Sequence, residues 1–271
     1  MTEKLEKRAL SHVLNKTLQE LNSKNLASLS PSYKCPHCED TGWIRTFNEQ
    51  GYSFVQECEC QKTKKARDMI EKSGLADHLE KCKFENFKIT DTWQSNMKYA
   101  AMKYADALTQ STKAPGKPWL YLGGNPGCGK TMLCTAICGQ LLEANLPVRY
   151  VVWPDLAQNL KAYANEPAFG AMIAPYINCR VLYIDDLFKS KNDQKTDKPN
   201  PSDADVRLAF EILNARYTQD KPTIISSEWY LDSELMPLDQ GTFSRVYEKC
   251  KTGGFILSIP RGLKYNMRLR P

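Results

Sequence analysis

The residues with the clearest chemical potential form one run of eight, GNPGCGKT, which begins at Gly124. The run matches the pattern G-x-x-x-x-G-K-[ST] in full, follows an apolar segment at Leu120–Leu122, and precedes a helical pattern. Glycines let a backbone approach phosphate groups closely, and the amides at a helix start supply donors and a favourable dipole. The run predicts a loop that binds nucleotide phosphates through Gly124, Asn125, Pro126, Gly127, Cys128, Gly129, Lys130, Thr131 and Met132.

Two side chains of this loop have the chemistry to act on a nucleoside triphosphate. We expect Lys130 to reach the β- and γ-phosphates, and the Thr131 hydroxyl to ligate Mg²⁺. Cys128 occupies an unrestricted position of the pattern, where small size is the main requirement.

A pair of carboxylates follows a second apolar run, VLYIDDLF at 181–188. Because α/β sheets bind ligands at the carboxyl ends of their strands, Asp185 is expected to hold the hydration shell of Mg²⁺. Asp186 could polarise an attacking water, which a hydrolase needs and a nucleoside kinase usually does not. The alternative is that Asp186 is a solvated carboxylate at the strand end, since geometry must decide a general base.

Four cysteines form two close pairs separated by nineteen residues, and these are Cys35, Cys38, Cys58 and Cys60. The residues between the pairs predict a hairpin with strands at Trp43–Phe47 and Tyr52–Gln56 and a turn at Asn48–Gly51. Such a hairpin would bring four thiolates together around one Zn²⁺. The second pair has one residue between its cysteines, whereas two is the common spacing. His37 is an alternative ligand. The alternative to a metal site is four unrelated free thiols.

Arg245 lies in the segment GTFSRVYEKC, far from the phosphate loop in sequence. P-loop ATPases that act as rings need an arginine from the neighbouring subunit to stabilise charge in the transition state. From the residues alone, Arg245 is either such an arginine or an ordinary surface cation.

Five short apolar runs alternate with helical patterns from about residue 88 onward, which is typical of a parallel α/β sheet. The runs lack polar alternation and therefore suit strands that are buried on both faces. The predicted strands are Leu120–Leu122, Arg149–Trp153, Val181–Ile184, Thr223–Ser226 and Phe255–Ser258, with helices between them such as Thr131–Leu142 and Ala204–Tyr217.

The organisation before residue 88 is different. Apolar residues spaced three and four apart predict an amphipathic helix over 3–29, followed by the cysteine-rich segment 35–60 and a basic helix near 61–72. We place the domain boundary near residue 85, which gives an N-terminal module at 1–85 and an α/β domain at 86–271. Within the α/β domain, a polar run with prolines at 189–203 predicts a surface loop.

Composition excludes several classes of protein. The 271 residues are 42% hydrophobic and 25% charged, and no run approaches the roughly 20 apolar residues of a membrane span. The charged N-terminus lacks the apolar core of a signal peptide, and ten cysteines without an export signal indicate a reducing compartment. We therefore expect a cytoplasmic protein with no membrane partner. Its net charge of +6 permits nucleic-acid contact without demonstrating it.

These motifs together resemble the bacterial and phage replicative helicase loaders of the DnaC/DnaI type, an IstB-like branch of the AAA+ ATPases. The resemblance covers most of the chain and depends on the order of the cysteine pattern with its basic helix, KFENF at 83–87, GNPGCGKT, YIDDLF, PTIISSEWY at 222–230 and GTFSRVYEKC. It implies an AAA+ fold with a five-stranded parallel sheet, ATP as the nucleotide, and an N-terminal module that binds a hexameric helicase of the DnaB type. It also implies that the AAA+ domain self-associates, that it binds single-stranded DNA, and that Arg245 acts in trans.

The chain departs from the family pattern at two positions. Many relatives carry a sensor asparagine where this chain has Glu228, so either a serine takes over, for which we name Ser227, or hydrolysis is slow. A C-terminal sensor arginine is expected at Arg268, with Arg261 as the alternative. The basic tail could also be an ordinary solvated end.

The resemblance favours ATP-dependent delivery of a DnaB-type helicase onto single-stranded DNA when replication starts. Because loaders resemble initiators that contact DNA after the second strand, the segment Trp153–Tyr176 is the expected DNA surface, with Lys161, Tyr163 and Tyr176 as contacts. An accessory ATPase of transposition of the IstB type is the alternative, although such relatives generally lack the four cysteines. A small-molecule kinase is disfavoured by the acidic pair and Arg245, whereas a non-enzymatic adaptor switched by ATP would show no turnover.

Overall fold

The computed structural model describes residues 33–48, 50–71, 76–110, 118–189 and 201–269, which fall into two compact units divided between Cys58 and Glu59. The helix predicted over 3–29 and most of the loop predicted at 189–203 lie outside the described residues. Among the described residues, no helix has both the length and the apolar character needed to cross a bilayer.

The described part of the first unit contains a β-hairpin. Strand β1 (Trp43–Phe47) pairs antiparallel with β2 (Ser53–Glu57), and Trp43 lies opposite Glu57. The turn is closed by Asn48, whose backbone amide donates to Tyr52 O at 3.0 Å and whose Oδ1 accepts from the Tyr52 amide at 2.8 Å. The predicted hairpin is confirmed, with its second strand starting one residue later than expected.

The second unit consists of alternating helices and strands. Its strands are β3 (Leu120–Gly124), β4 (Val148–Val152), β5 (Val181–Asp185), β6 (Thr223–Ser226) and β7 (Ile256–Ile259). Its helices are α1 (Glu59–Ile70), α2 (Ala76–Lys81), α3 (Thr92–Gln110), α4 (Lys130–Glu143), α5 (Trp153–Ala162), α6 (Phe169–Asn178), α7 (Asp203–Thr218) and α8 (Gln240–Lys251). Short helical turns are formed by Phe84–Asn86, Leu231–Leu235, Met236–Leu238, Leu263–Tyr265 and Met267–Leu269.

The five strands form one parallel sheet in the order β4-β5-β6-β3-β7. Every residue of β3, β5 and β6 is buried, which explains why these apolar runs show no polar alternation. Helix α4 packs against β4, β5 and β6, whereas α8 packs against β3 and β7. This order places the carboxyl ends of β3, β6 and β5 side by side, so residues that follow these strands meet at one edge. The predicted parallel α/β fold is confirmed.

The two compact units divide between Cys58 and Glu59, whereas the domain boundary that we placed near residue 85 stays a prediction. Helix α1 packs against β4 and α4, helix α2 packs against α4, and Ile70 at the end of α1 is fully buried in the core of the second unit. Apolar side chains of residues 59–85, Ile70 among them, pack within the core of the sheet unit. Charge on the outer face of a helix does not reveal what its inner face covers.

Candidate nucleotide site and cysteine cluster

The nine predicted phosphate-loop residues join the end of β3 to the start of α4. Gly124 has a φ of 98°, and a Cβ atom there would lie 2.1 Å from the backbone oxygen of Ile259 in the neighbouring strand β7. Gly129 has a φ of 92° and directly precedes Lys130, the first residue of α4. Glycine is required at both positions because the backbone turns sharply against its neighbours. The loop therefore directs the amides of the helix start toward the carboxyl edge of the sheet.

Lys130 lies inside the loop and is 7% exposed. Its Nζ donates hydrogen bonds of 2.8 Å to Gly124 O and to Asn125 O. The adjacent Cys128 is fully buried, and this burial raises the pKa of its thiol, although the charge of Lys130 partly opposes the shift. Lys130 Nζ also lies 3.9 Å from Cys128 Sγ. A buried ammonium held by neutral groups, with no carboxylate partner among the described residues, is a strong site for an anionic ligand, which fits the phosphate role predicted for Lys130.

The Asp185 carboxylate is 5% exposed and accepts hydrogen bonds from three hydroxyl groups. Thr131 Oγ1 donates to Oδ1 at 3.2 Å, Ser226 Oγ also donates to Oδ1, and the Tyr150 hydroxyl donates to Oδ2 at 3.2 Å. Burial and the charge of Asp185 raise the pKa of Tyr150, so the phenol remains protonated and able to donate. The hydroxyl of Thr131 and a carboxylate oxygen side by side form the hard oxygen donor set that Mg²⁺ prefers, so these residues fit the predicted magnesium role.

Asp186 lies at the end of β5 with a φ of 56°, which turns the chain sharply. Its backbone amide donates to Ser226 Oγ at 3.2 Å, and its carboxylate accepts from Lys189 Nζ at 2.8 Å. Lys189 also pairs with Glu228 at 3.3 Å. Burial lowers the pKa of Lys189, but the hydrogen bond and charge of Asp186, together with Glu228, outweigh this and raise it. Asp186 is thus part of an ion-pair network and not an isolated strand-end carboxylate.

The two serines that precede Glu228, the residue at the sensor position, make different contacts. Ser226, the last residue of β6, reaches both Asp185 and the Asp186 amide. The hydroxyl of Ser227, which we predicted as the nucleotide contact, instead donates to Leu187 O at 2.7 Å and accepts from the Trp229 amide. The geometry therefore favours Ser226 over Ser227 beside the predicted magnesium ligand, because the hydroxyl of Ser227, which follows the end of β6, is engaged by Leu187 and Trp229.

The C-terminal segment lies directly on the phosphate loop. The Met267 amide donates to Gly127 O at 2.9 Å, and the Gly262 amide donates to Asn125 Oδ1 at 2.9 Å. Arg268 follows Met267 and is exposed. The alternative sensor, Arg261, is paired with Glu234 at 2.7 Å. Both arginines thus neighbour a residue that contacts the loop, but Arg268 makes no ion pair among the described residues, and its sensor role stays a prediction.

Arg245 on α8 contacts the neighbouring helix α7. Its Nε donates to Asn214 Oδ1 at 2.7 Å, its Nη1 donates to Gly241 O at 2.8 Å, and its guanidinium lies 4.7 Å from the centre of the Phe210 ring. These contacts leave the Nη2 group without a hydrogen-bond partner among the described residues. The structure thus holds the guanidinium in a fixed orientation with donors to spare, and its action in trans stays a prediction.

The four cysteines of the predicted metal site come together around the base of the hairpin. Cys35 and Cys38 precede β1, Cys58 follows β2, and Cys60 lies in the first turn of α1. Their sulfur atoms all lie within 4.8 Å of one another, and those of Cys35 and Cys58 are 3.7 Å apart. A tetrahedral zinc site with Zn–S bonds of about 2.3 Å requires sulfur separations of about 3.8 Å. The thiols therefore fit Zn²⁺, whereas His37 is not part of the cluster.

The predicted DNA surface corresponds to α5, the following loop and α6. Tyr163 in the loop is 46% exposed. Lys161 pairs with Asp205 at 2.7 Å, and the Tyr176 ring lies 5.4 Å below the guanidinium of Arg149. Buried Arg216 fixes the end of α6 by donating to Tyr176 O at 3.0 Å. Of the three predicted contacts, Tyr163 alone combines high exposure with no contact to a charged side chain among the described residues.

Three side chains around the acidic pair were missed from the sequence: Tyr150, Ser226 and Lys189. Tyr150 lies on β4 and Ser226 on β6, the two strands on either side of β5, so their contacts with Asp185 depend on the strand order. A polar residue near the carboxyl end of an apolar strand was the available signal. Lys189 was missed because we assigned it to a surface loop.

The sheet order, the phosphate loop after β3 and the acidic pair after β5 define a P-loop ATP-binding protein of the AAA+ class. Residues 51–234 match the family described as IstB-like ATP binding protein, and the chain belongs to this family. The resemblance to helicase loaders of the DnaC/DnaI type is also confirmed, as the following relatives show.

The chain is 34% identical over 203 residues to the uncharacterized protein YqaM of Bacillus subtilis, an alignment that covers 73% of this chain and 62% of YqaM, less than two thirds of its length. It is 28% identical to the phage-like element PBSX protein XkdC of Bacillus subtilis, covering 92% of this chain and 91% of XkdC. It is 24% identical to the replicative helicase loader DnaC of Escherichia coli, covering 93% and 95%. The fold is similar to that of the replication initiator DnaA bound to AMPPCP and single-stranded DNA, with a TM-score of 0.51 and 19% identity, covering 67% of this chain and 50% of that structure.

Proposed function

We propose that this protein is an ATP-dependent loader that delivers a replicative helicase of the DnaB type onto single-stranded DNA during initiation. The observation that carries the proposal is the presence in one chain of a AAA+ nucleotide site and a hairpin whose four cysteines gather within 4.8 Å. Transposition ATPases of the IstB type generally lack such a cysteine module. The similarity to the loader DnaC over almost the full length of both chains supports the same choice.

In this proposal the nucleotide site hydrolyses ATP. Lys130 and the loop amides bind the β- and γ-phosphates, and Thr131 with Asp185 would hold Mg²⁺, which supplies charge neutralisation when bound. Asp186 orients the attacking water and accepts its proton once Lys189 moves away from its carboxylate. Arg245 of a neighbouring subunit stabilises the charge that develops on the γ-phosphate, so assembly is required for turnover.

The hairpin is the proposed contact for the helicase. Its outer residues include large hydrophobic side chains, and Trp43 is 58% exposed, Phe47 68% and Tyr52 73%. Trp43 and Phe47 are on the same face of β1, because residues four apart in a strand point the same way. Several large exposed apolar side chains on one small hairpin are typical of protein interfaces. A zinc ion held by the four thiols would fix their orientation.

Single-stranded DNA is the proposed nucleic-acid partner, and its binding is expected to be weak and salt-sensitive. The chain has a net charge of only +6, and backbone pairing by few cations gives low affinity that falls with salt. The exposed ring of Tyr163 is available for stacking on a base without reading its identity. Tight duplex binding with sequence preference at physiological salt would contradict this assignment.

Copurification with the replicative helicase of the source cell tests the proposal. We expect the full chain to retain a DnaB-type helicase, and the double variant Trp43→Ser, Phe47→Ser to lose it while still binding ATP. Tyr99→Ser is the matched control, because Tyr99 is 69% exposed on α3 of the other unit and its loss is expected to leave helicase binding unchanged. If the wild-type protein retains no DnaB-type helicase, the loader assignment is wrong.

The second candidate function is an accessory ATPase of transposition, and the family match at 51–234 favours it because that family is described as IstB-like. Under this hypothesis the chain would bind a transposase and not a helicase. Retention of a transposase from the source cell in the same copurification, with no helicase, is the result that would select it.

A further inference from the structure

Tyr150 contacts the nucleotide site although it belongs to none of the sequence motifs. Its hydroxyl donates to Asp185 Oδ2 at 3.2 Å from the neighbouring strand β4. The other carboxylate oxygen, Oδ1, accepts from Thr131 and Ser226. Tyr150 is therefore the one donor among the described residues that holds the oxygen turned away from Thr131.

The terminal torsion of an aspartate is soft, so a carboxylate rotates easily unless both of its oxygens are held. Thr131 and Ser226 both donate to Oδ1, so their hydrogen bonds alone would still let the carboxylate pivot at that oxygen. The hydrogen bond from Tyr150 to Oδ2 removes this freedom and keeps Oδ1 beside the Thr131 hydroxyl. Mg²⁺ tolerates little deviation from octahedral geometry, so its affinity depends on how well oxygen ligands are oriented in advance.

The position of Tyr150 is itself rigid. The residue is 8% exposed, pairs in register with Tyr183 of β5, and its ring centre lies 5.0 Å from that of Tyr183. A side chain packed in this way has little rotamer freedom, so its hydroxyl is held at one place relative to β5.

We propose that Tyr150 is a positioning residue for magnesium, which orients Asp185 through its hydroxyl and thereby sets the Mg²⁺ requirement of nucleotide binding. The inference rests on the proposed function only in requiring that a magnesium nucleotide binds at the phosphate loop. Partners that orient the ligands of a metal typically change its affinity by about 10- to 100-fold when removed. The Tyr150 hydroxyl contacts Asp185 and no residue of the phosphate loop among the described residues, so its loss is expected to affect the metal-dependent part of binding alone.

The test is Tyr150→Phe, which removes the hydroxyl and keeps the ring. The affinity for a fluorescent ADP analogue is measured in EDTA and then across a series of Mg²⁺ concentrations, with thermal unfolding as a check on folding. In EDTA we expect the affinity of the wild type. With magnesium, we expect the concentration that gives half of the magnesium effect to rise by about tenfold, and excess Mg²⁺ to restore wild-type affinity.

Tyr183→Phe is the matched control, because Tyr183 is a buried tyrosine of the adjacent strand for which the described residues show no hydrogen bond to Asp185. It is expected to leave the magnesium midpoint unchanged. An unchanged midpoint in Tyr150→Phe, or an equal shift in both variants, would overturn the inference. If the wild-type protein binds no nucleotide at all, the proposed function fails instead, so the two failures are distinguishable.

Discussion

The nucleotide site and the cysteine hairpin hold their functional side chains in place by different means. At the nucleotide site, Lys130, Asp185 and Ser226 are 7%, 5% and 0% exposed, and each is hydrogen-bonded to a neighbour. In the hairpin, most side chains are exposed, and the buried ones are Cys38 and Cys58. One site is positioned by a large sheet core, whereas the other has little core of its own beyond its thiols.

This difference predicts that the two sites fail independently. A two-stranded hairpin is marginally stable alone, so its order should depend on the metal that its cysteines bind. The five-stranded sheet buries enough apolar surface to persist without that metal. Changes at the phosphate loop should accordingly spare the hairpin, and loss of metal should spare ATP binding.

The largest effect is expected from Lys130→Ala. Removing the buried ammonium deletes its charge-assisted contacts with the phosphates, so nucleotide affinity should fall by at least roughly 100-fold and turnover should be abolished. Equilibrium binding of a fluorescent ATP analogue measures this. Cys128→Ala, a change in the same loop without loss of charge, should keep affinity within about threefold. Unchanged zinc content in Lys130→Ala would support independence of the sites, and near-wild-type ATP affinity would exclude this loop as the site.

The next largest effect separates binding from hydrolysis. Asp186→Asn keeps the size of the side chain and its bond to Lys189 but removes the base, so turnover should fall by about 10²–10⁴-fold while ATP affinity stays near that of the wild type. Steady-state phosphate release, measured beside nucleotide binding, checks both. Turnover at the wild-type rate would reduce Asp186 to a structural carboxylate. An absence of turnover in the wild type, with and without helicase and DNA, would favour a non-enzymatic adaptor.

Metal removal acts on the other region. We expect one zinc per chain, lost on treatment with a strong chelator, after which residues 33–58 should become sensitive to limited proteolysis and helicase binding should be lost. ATP binding and thermal unfolding of the sheet unit should change little. Elemental analysis, proteolysis with mass spectrometry and nucleotide titration are the measurements. Cys60→Ser should lose zinc, whereas Cys82→Ser, outside the cluster, should retain it; a hairpin equally protected in chelator would contradict the prediction.

The two regions also differ in how much their sequences revealed. Each of the five strands was predicted to within two residues, because buried parallel strands are apolar throughout and helices separate them. The roles of the phosphate loop and Asp185 were predicted from local motifs, and they stay predictions. The hairpin followed from cysteine spacing and a turn signal.

The side chains that sequence could not place depend on strand order. Tyr150 and Ser226 meet at Asp185 only because β4 and β6 flank β5, an arrangement that no local pattern encodes. Ser226 and Ser227 are adjacent in sequence, but Ser226 donates to Asp185 whereas Ser227, just past the end of β6, donates to Leu187 O. The position of the C-terminal segment on Gly127 was likewise unpredictable, because it arises from contacts between residues far apart in the chain.

The smallest expected signal, and the most specific, comes from Arg245. If its guanidinium acts in trans, Arg245→Ala should bind ATP normally but lose the increase in turnover per chain that follows higher protein concentration or added helicase. An equal mixture with Lys130→Ala, itself inactive, should regain activity, because about a quarter of the interfaces then join an intact phosphate loop to an intact arginine. Recovery up to about that fraction of wild-type turnover is the expected result.

Lys251→Ala is the control for the mixing experiment, since Lys251 is a cation of the same helix whose ammonium lies 5.7 Å from the centre of the Tyr247 ring. It should remain active alone. Asn214 orients Arg245, so a second variant tests whether that orientation matters. Asn214→Ala should lower assembly-dependent turnover without changing ATP affinity, because the bond to Nε is lost while the guanidinium remains. If Lys130→Ala and Arg245→Ala co-assemble, as shown by cross-linking, and no activity returns, then Arg245 is only a cation of α8 that contacts α7, and the arginine that completes the site lies elsewhere.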